Sequence, residues 1–423
     1  MQIKRKLSNI NPFGGIDFIN NTISKIGLKQ KIDKFLGIRA PQSEYRFSDV
    51  LLSLFYSQYI GSTCLEDVKG LKEHLGERSP IKVCSPDVIG DVCDDLKTAN
   101  DVYISENKVR HEFNVNVGLN ELLVDIGLLT GMLNRKTGNT VDYDNIALEN
   151  EKYDSRRTYK MFNGYQPGVA FIGKLPVYIE GRNGNSNAKY KMDETLERCF
   201  SILKKKRIII EYFRSDCAAY QEKVVKLAEK YVKYFYIRAM ASADLYQRCK
   251  EIENWKKIEI NYKEFEIGET TYSPFGENKT YRVVVTRELR KDKQIDIYSE
   301  TAYDYYGILT NDYVKTEEEV LVFYNNRAAA EPNFDILNND FNWSHLPFSF
   351  LNQNTVFMIL SAISLIIFEW IKKLYSKKVD FVNRAMRMKS FINKFVTLPA
   401  KWIKQARQMV LIYHSEKKYN LLI

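Results

Sequence analysis

Residues 207–239 read RIIIEYFRSDCAAYQEKVVKLAEKYVKYFYIRA, and this stretch decides the class of fold. Its apolar start, RIIIEYF, has the composition of a buried β-strand. The following segment, CAAYQEKVVKLAEKYV, predicts a helix, and YFYIRA predicts a second strand. Because strands that alternate with helices form a sheet covered by helices, the pattern predicts an α/β fold.

The same alternation extends to both sides. Upstream, TVDYDNIAL (140–148), GYQPGVAFI (164–172) and KLPVYIE (174–180) predict three strands, and a helix is expected near 193–206. Residues 244–302 break this rhythm with short β-like runs such as YRVVVTREL (281–289) and IDIYS (295–299), which predicts a β-rich insertion. The α/β pattern resumes at YYGILT (305–310), and a further helix is expected from near Lys315.

Residues 1–135 read as an all-helical N-terminal domain. Phe47-Ser48-Asp49 and Ser85-Pro86 each precede an apolar run, as expected of helix starts. Short helices with short connections suit a helix-turn-helix-like module for DNA binding. A helical bundle that only packs on the rest is the alternative. Five segments are therefore predicted: 1–135, 136–243, 244–302, 303–375 and 376–423.

The positive charge of the chain is concentrated at its C-terminal end. From Glu369 onward there are 13 Lys and Arg against 3 Asp and Glu, a net charge of +10 that equals that of the whole chain. Such a basic face attracts a polyanion such as DNA. Interleaved aromatic residues predict amphipathic helices that hold Lys401, Lys404 and Arg407 against DNA phosphates. The alternative is a solvated helical hairpin that aids folding or dimerisation.

Several classes of protein are excluded by composition. The six Cys and four His residues are scattered, without metal-ligand or disulfide spacing. The N-terminus lacks the apolar core of a signal peptide. The apolar run Val356–Phe368 has 13 residues, fewer than the ~20 that span a bilayer, so we expect a buried core helix. The sequence therefore predicts a cytoplasmic protein without a membrane partner.

Three acidic residues lie where a sheet enzyme would place catalytic carboxylates. Asp144 ends the first predicted strand, Asp216 follows RIIIEYF, and Glu331 lies in the helical segment after the insertion. Carboxylates at strand ends converge on one edge of an open sheet. Such oxygens can hold two Mg²⁺ ions for in-line phosphoryl displacement. Asp142 competes with Asp144, because residues two apart in a strand share a face.

A helical motif follows the insertion. Tyr324, Arg327 and Glu331 occur within YNNRAAAE, and offsets of three and seven place them on one face of a helix. Glu331 can then bind metal while Arg327 and Tyr324 reach the DNA backbone. The alternative is a solvated helix face with an ion pair. In the insertion, Trp255 is a candidate for stacking on a displaced base, although an insertion Trp is more often a core residue.

These motifs resemble those of the DDE transposases of bacterial insertion sequences. Tyr-x2-Arg-x3-Glu is the signature of the insertion-sequence-four group, and the wider text is similar to the thirteen-eighty family over about residues 45–410. VDYDN (141–145) resembles that family's first-Asp strand and RSDCAAY (214–220) its second-Asp motif. YIRA (236–239) is similar to the next strand, and TLPAKWIKQARQ (397–408) to the basic C-terminal segment.

The resemblance implies a split ribonuclease-H-like catalytic core, in residues 136–243 and 303–375, with a β insertion at 244–302 and a basic tail at 376–423. It implies cut-and-paste transposition through a hairpin intermediate, with terminal inverted repeats and target DNA as partners. A homodimer in a synaptic complex and two Mg²⁺ ions, replaceable by Mn²⁺, are implied as well. A nucleoid-associated location in a bacterial cytoplasm would follow.

The chain departs from this family pattern at two positions. Asn338 stands seven residues after Glu331, where the family usually has Lys, and Pro332 directly follows Glu331. Proline disfavours helical geometry in the residue before it, so a kink is expected at the third ligand. Two alternatives therefore stay open: an inactive or domesticated DNA-binding protein, and a metal-dependent nuclease of the same fold that cuts without joining.

Overall fold

A computed structural model of the chain describes residues 3, 10–75, 79–260, 262–276, 279–290 and 302–422. The α-helices are α1 (Gly15–Lys25), α2 (Leu28–Leu36), α3 (Phe47–Tyr59), α4 (Val68–Leu75), α5 (Pro86–Leu96), α6 (Val117–Leu129), α7 (Met192–Lys205), α8 (Glu222–Tyr231), α9 (Ala243–Lys250), α10 (Glu317–Asn325), α11 (Ala330–Asp340), α12 (Leu351–Tyr375) and α13 (Met388–Phe391).

The strands are β1 (Asn100–Ile104), β2 (Arg110–Asn114), β3 (Asn139–Asn145), β4 (Leu148–Glu149), β5 (Arg156–Arg157), β6 (Asn163–Tyr165), β7 (Gly168–Ile172), β8 (Leu175–Arg182), β9 (Ile210–Ser215), β10 (Tyr234–Arg238), β11 (Lys256–Ile260), β12 (Lys263–Tyr272), β13 (Tyr281–Leu289), β14 (Tyr303–Thr310), β15 (Ala400–Gln405) and β16 (Gln408–Tyr413). The α/β alternation predicted between residues 140 and 239 is therefore confirmed.

Within the described residues, eleven strands form one mixed sheet in the order β1-β2-β8-β7-β3-β9-β10-β14-β13-β12-β11. The central strand β3 is antiparallel to β7, which is antiparallel to β8. On its other side β3 is parallel to β9, and β9 is parallel to β10. Three antiparallel strands followed by two parallel ones fit the ribonuclease-H-like core that the resemblance implies.

The sheet carries an apolar core on each face. Neighbouring residues of one strand belong to different cores, as Val283 and Val284 of β13 show. The larger core includes the helices α7 and α8, and the smaller one lies under α10. Because successive side chains of a strand point to opposite faces, these strands are apolar on both sides. Helix α10 is thereby fixed over the part of the sheet next to β10.

Helix α12 is the apolar centre of the larger core. Its 25 residues are longer than the predicted 13-residue run, and by length and composition alone it is apolar enough to cross a membrane. However, 94% of its most apolar window is buried inside the protein. Gln58 of α3 donates to Ser361 at 3.0 Å, and Tyr59 donates to the Ser364 carbonyl at 2.7 Å. These bonds link α3 to a helix that is buried on all sides, and the Ser361 hydroxyl has a partner whereas the buried Ser364 hydroxyl has none among the described residues.

The N-terminal region is not all-helical, and this prediction is wrong. Strands β1 and β2 form a hairpin within residues 100–114, and β2 pairs with β8 at the edge of the main sheet. In β2, the buried residues His111 and Phe113 alternate with Arg110 and Glu112, a pattern that suits a half-buried strand near a sheet edge. The helices α3, α5 and α6 pack against α12 in the same core as the sheet.

The segment predicted as a β-rich insertion contains the strands β11, β12 and β13, which do not form a separate sheet. Strand β13 pairs with β14 along Arg282–Leu289, so that β11, β12 and β13 prolong the central sheet. The segment begins with the helix α9, which the sequence did not predict. The predicted strand IDIYS (295–299) lies outside the described residues.

The tail is not a pair of amphipathic helices, and this prediction is wrong. Its end is the hairpin β15–β16, in which Trp402 pairs with Leu411 across the strands. The run KWIKQARQMVLIY is rich in aromatic and β-branched residues on both sides of a short polar turn, a composition that favours strands over helices. Some of the cations counted from Glu369 onward pair with acidic residues inside the protein. Lys372 is buried against Glu369 at 2.6 Å, and Arg387 binds Asp335 and Asp340.

Candidate active site

The two acidic residues predicted at strand ends lie beside each other. Asp144 is the second-last residue of β3, and Asp216 directly follows β9. The parallel register pairs Tyr143 with Ser215, so Asp144 and Asp216 take the next positions on neighbouring strands. Asp216 accepts a hydrogen bond from the backbone N–H of Ala218 at 2.9 Å, which caps a short 3₁₀ turn. Both carboxylates thus stand at one edge of the sheet.

Asp142, the competing first acid, is occupied elsewhere. Its two carboxylate oxygens accept bonds from Nε and Nη2 of Arg214 at 2.6 and 2.7 Å, and both side chains are about 8% exposed. Arg214 also donates to the Phe323 carbonyl and lies 4.8 Å from the centre of the Phe323 ring. This bidentate pair is a clamp that fastens α10 to the sheet. The geometry therefore favours Asp144 as the acid that faces the site.

Arg327 and Tyr324 reach the same edge from the helical side. Nη1 of Arg327 lies 2.7 Å from a carboxylate oxygen of Asp144. The Tyr324 hydroxyl donates to the Ser215 carbonyl at 3.3 Å, one residue before Asp216. Two members of the predicted helical motif are therefore brought to the acidic pair, and a guanidinium stands directly beside it.

The charges around Asp144 act in opposite directions on its proton affinity. Burial raises the pKa of Asp144, the Arg327 guanidinium lowers it, and the negative charge of Asp216 raises it again; the net shift is upward. Burial also raises the pKa of the Tyr324 hydroxyl. Two carboxylates close enough to oppose each other's ionisation are stabilised by a cation between or beside them. Arg327 supplies one such cation.

Glu331 is not brought to this pair. It lies in the first turn of α11 with an exposed side chain. In the described part of the chain, no three His, Cys, Asp or Glu side chains lie close enough to share a metal ion. Tyr324, Arg327 and Glu331 do not share one helix face either, because α10 ends at Asn325 and a 3₁₀ segment spans residues 326–329.

The helix break lies just before the position at which the sequence predicts a kink. Proline lacks the N–H that would bond to the carbonyl four residues earlier, and its ring clashes with that carbonyl. For Pro332 this partner is Ala328, inside the 3₁₀ segment. Pro332 itself occupies the first turn of α11, where proline is tolerated. Asn338, seven residues after Glu331, lies on α11 with a buried side-chain oxygen that has no hydrogen-bond partner.

A cleft beside the acidic pair contains a basic residue for which the sequence predicted no role. The cleft has a volume of about 380 Å³ and is bordered by Tyr324 and by Arg238, the last residue of β10. The Arg238 guanidinium lies 4.4 Å from the centre of the Tyr306 ring, and Lys263 also lines the cleft. The sequence YIRA (236–239) could have indicated Arg238, because β10 is parallel to β9 and ends at the same edge of the sheet.

Trp255 packs within the insertion. It is half-buried beside the core, and the Arg287 guanidinium lies 4.1 Å from its ring centre. Its indole N–H is buried without a hydrogen-bond partner. The arrangement favours the alternative of a core residue over a base-stacking one, because its ring is already covered. Of the predicted tail residues, Lys404 and Arg407 are exposed and Lys401 is partly exposed on the hairpin β15–β16.

Comparison with known proteins identifies the family to which the chain belongs. The chain is similar to a solved structure described as "Cryo-EM structure of piggyBac transposase synaptic complex with hairpin DNA (SNHP)", with 10% identity and a TM-score of 0.41 over 91% of this chain and 79% of that one. No curated protein matches the chain. The family model described as "Transposase DDE domain group 1" matches residues 6–420. The chain belongs to this family of DDE transposases.

Proposed function

We propose that the chain catalyses cut-and-paste transposition of DNA. It cleaves strands at terminal inverted repeats and joins the freed 3′-hydroxyl to target DNA, with a hairpin intermediate on the transposon end. The observation that carries this proposal is the pair Asp144 and Asp216 at one sheet edge, faced by Arg327 at 2.7 Å, in a chain that the DDE transposase family model covers from residue 6 to 420.

The donor set of this edge fits a hard divalent cation. Asp144 and Asp216 offer carboxylate oxygens from adjacent strands, and Mg²⁺ prefers such ligands, with Mn²⁺ as a substitute. Glu331 is the third ligand in the proposal, and it has to move toward the pair. Two bound ions would activate the attacking water or 3′-hydroxyl and stabilise the leaving oxygen.

Arg327 and Tyr324, on the helical segment that faces the sheet, prepare the site and hold the DNA. Arg327 occupies Asp144, and a DNA phosphate competes for the same guanidinium because both anions accept bidentate bonds. Transfer of Arg327 to the phosphate frees the Asp144 carboxylate. Tyr324 stays fixed by its bond to the Ser215 carbonyl and lines the path of the DNA end. In the proposal, a homodimer holds two ends, and each subunit cuts one.

A second candidate function, an inactive or domesticated DNA-binding protein, is favoured by the position of Glu331. Its exposed side chain and the helix break before Pro332 leave the third acid away from the pair. The third candidate, a nuclease that cuts without joining, shares the same acidic edge. These three functions differ in two measurable steps, metal-dependent cleavage and strand joining.

The test uses the purified chain and plasmid DNA that carries the gene with its flanking sequence. We expect nicking at the element ends with Mg²⁺ or Mn²⁺, no nicking with EDTA, and joined product when a pre-cut 3′-hydroxyl end is supplied. Asp216→Asn should abolish both steps. Glu197→Gln is the control, because Glu197 makes only an exposed ion pair with Lys230.

The three candidates give different outcomes. Binding to DNA without cleavage by the unmodified chain would support the inactive DNA-binding protein, and cleavage without joined product would support the nuclease. Full cleavage by the Asp216→Asn protein would contradict the proposed site.

A further inference from the structure

The hairpin β15–β16 ends in an exposed and acid-free tip. Lys404, Gln405, Ala406, Arg407, Gln408 and Met409 are all exposed. Between Phe381 and Ser415 the chain has seven Lys and Arg and no Asp or Glu. In the described structure neither Lys404 nor Arg407 makes an ion pair with the rest of the protein, unlike Arg387, which binds two aspartates. The positive charges of Lys404 and Arg407 are therefore available to a binding partner.

The base of the hairpin β15–β16 is held against α1 and the residues before it. The tip therefore projects from the protein at a fixed position. The Trp402 indole N–H donates to Asp17 of α1 at 3.1 Å, and Asp17 is 5% exposed. Asn11 pairs with Ala400 as an additional β-bridge. Gly14 passes so close to the hairpin that an added Cβ would lie 2.4 Å from the Ala400 Cβ, a contact that only glycine avoids.

The two faces of the hairpin differ. Directly paired residues share a face, and Trp402 therefore shares its face with Leu411, which packs against the core. Gln405 and Gln408 form the last pair before the turn and lie on the opposite face. The hairpin thus presents one face and its tip to the surroundings.

The turn itself holds Arg407 in an uncommon conformation. Ala406 and Arg407 have φ values of 46° and 64°, in the left-handed region, where two-residue hairpin turns usually carry Asn-Gly. Each such non-glycine residue costs about 1 kcal/mol or more, and strain of this kind clusters at functional positions. The ribbon keeps Arg407 at its apex, between the paired Gln405 and Gln408.

We infer that this tip enters the major groove of duplex DNA and reads base pairs. The exposed tip contains two residues of each strand and the two-residue turn, and its strand part alone projects about 7 Å at ~3.4 Å per residue. The groove is about 8.5 Å deep, about 12 Å wide and admits a two-stranded β-ribbon. Arg407 suits guanine, and Gln405 and Gln408 suit adenine. Lys401 and Lys404 lie farther back, where phosphates flank the groove. The inference rests on the proposed function for its DNA partner and adds sequence recognition to the phosphate binding predicted for the tail.

The test is a selection with the full chain from a pool of duplexes with a randomised centre. We expect the unmodified chain to enrich a motif. The triple variant Gln405→Ala, Arg407→Ala, Gln408→Ala should lose preference at a few adjacent positions of that motif, by roughly 5- to 100-fold at each contacted base pair. Thermal unfolding checks that the variant stays folded, since all three positions are exposed.

A second pair of variants separates bases from phosphates. Lys401→Gln with Lys404→Gln should weaken binding to all duplexes alike and reduce the log–log salt slope by about 0.9 for each phosphate that the variant no longer neutralises. Lys136→Gln with Lys204→Gln is the matched control. These exposed lysines lie before β3 and at the end of α7, at the opposite edge of the sheet from Asp144. The control should change neither the motif nor the slope.

The outcomes distinguish this inference from the proposed function. An unchanged motif in the triple variant overturns the inference, as does a loss of affinity that is equal for all sequences. A change in self-association without a change in DNA binding assigns the tip to a second copy of the chain and also overturns it. A chain that selects a motif, loses part of it in the triple variant and never cleaves DNA supports the ribbon and contradicts the proposed transposase activity.

Discussion

The two sides of the candidate active site are built in different ways. Asp144 and Asp216 stand on neighbouring parallel strands, whose register pairs Asp142 with Arg214 and thereby sets the positions two residues later. On the other side, the segment from Tyr324 to Glu331 passes through a helix end, a 3₁₀ segment and a new helix. The sheet therefore holds Asp144 and Asp216 side by side, whereas the helical side leaves Glu331, the proposed third ligand, away from them.

This difference has a physical origin in how each element is constrained. A one-residue slip of β9 against β3 would move a whole set of apolar side chains to the wrong face, so the register of a sheet with two cores is strongly specified. The position of Glu331 depends on the helix geometry just before it, which Pro332 interrupts, and on the packing of the later residues of α11, such as Phe334 and Leu337, in the core. We therefore expect the two sides to respond differently to substitution.

The largest effect is expected at the acidic pair. Asp144→Asn and Asp216→Asn keep the shape of the side chains but remove a charge each, and loss of several kcal/mol of transition-state stabilisation lowers the rate by roughly 10³-fold or more. Single-turnover cleavage in Mg²⁺ measures this loss, and gel-shift binding should stay within a few-fold of the unmodified chain. If Asp142→Asn abolishes cleavage in a folded protein while Asp144→Asn does not, Asp142 is the first ligand.

The second-largest effect is expected at the Arg214–Asp142 ion pair, which links the sheet to α10. Arg214→Met removes one partner of a pair that is about 8% exposed, and breaking a buried pair in this way destabilises a protein by about 3–5 kcal/mol. Urea unfolding measures the loss. The double variant Arg214→Met with Asp142→Leu leaves no uncompensated charge and should recover much of the stability. Equal losses in the single and double variants would show that the clamp acts through its bond to the Phe323 carbonyl instead.

A smaller effect is expected at Arg327, where the two sides meet. Arg327→Ala should lower cleavage on the order of 10²-fold, the scale of removing one donor to a developing charge. It should also tighten Mn²⁺ binding in the absence of DNA by about 5-fold, since a partly exposed ion pair contributes up to about 1 kcal/mol. Arg327→Lys is the matched control that keeps the charge. Unchanged Mn²⁺ affinity in the Ala variant would show that Arg327 does not shield Asp144.

Sequence reasoning succeeded where the fold repeats a strong pattern. The strand–helix–strand text of residues 207–239 and the acids at strand ends predicted the α/β class, and the strand register places Asp144 next to Asp216. It could not choose between Asp142 and Asp144, because the choice depends on Arg214, a residue 72 positions away. The motifs Asp-x-Asp (142–144) and Arg-x-Asp (214–216) have the same spacing on adjacent parallel strands. Their first residues therefore pair with each other, and Asp144 and Asp216 follow at adjacent positions.

Sequence reasoning failed where several structures suit the same residues. The basic and aromatic residues of the tail fit a helix by interval, but KWIKQARQMVLIY is also rich in aromatic and β-branched residues and folds as β15–β16. The hairpin β1–β2 is short and polar, and its edge position leaves only a weak apolar signal. The helical motif predicted one face for Tyr324 and Glu331, but it did not predict that Pro332 would break the helix four residues earlier.

The smallest effect is expected at Pro332. A substitution there tests directly whether the broken helix keeps Glu331 away from Asp144 and Asp216. Pro332→Ala restores an N–H that can bond to the Ala328 carbonyl and removes the ring that clashes with it. The 3₁₀ segment at 326–329 can then wind as α-helix, which rotates Glu331 onto the face that carries Tyr324 and Arg327. We expect a change in unfolding free energy of less than about 1 kcal/mol, because Pro332 is exposed and in a first turn. Cleavage should rise a few-fold if Glu331 is the third ligand, and Mn²⁺ affinity should rise with it. The double variant Pro332→Ala with Glu331→Gln is the control and should show neither gain. A rise that survives in this double variant would mean that the helix, and not the Glu331 carboxylate, limits the reaction.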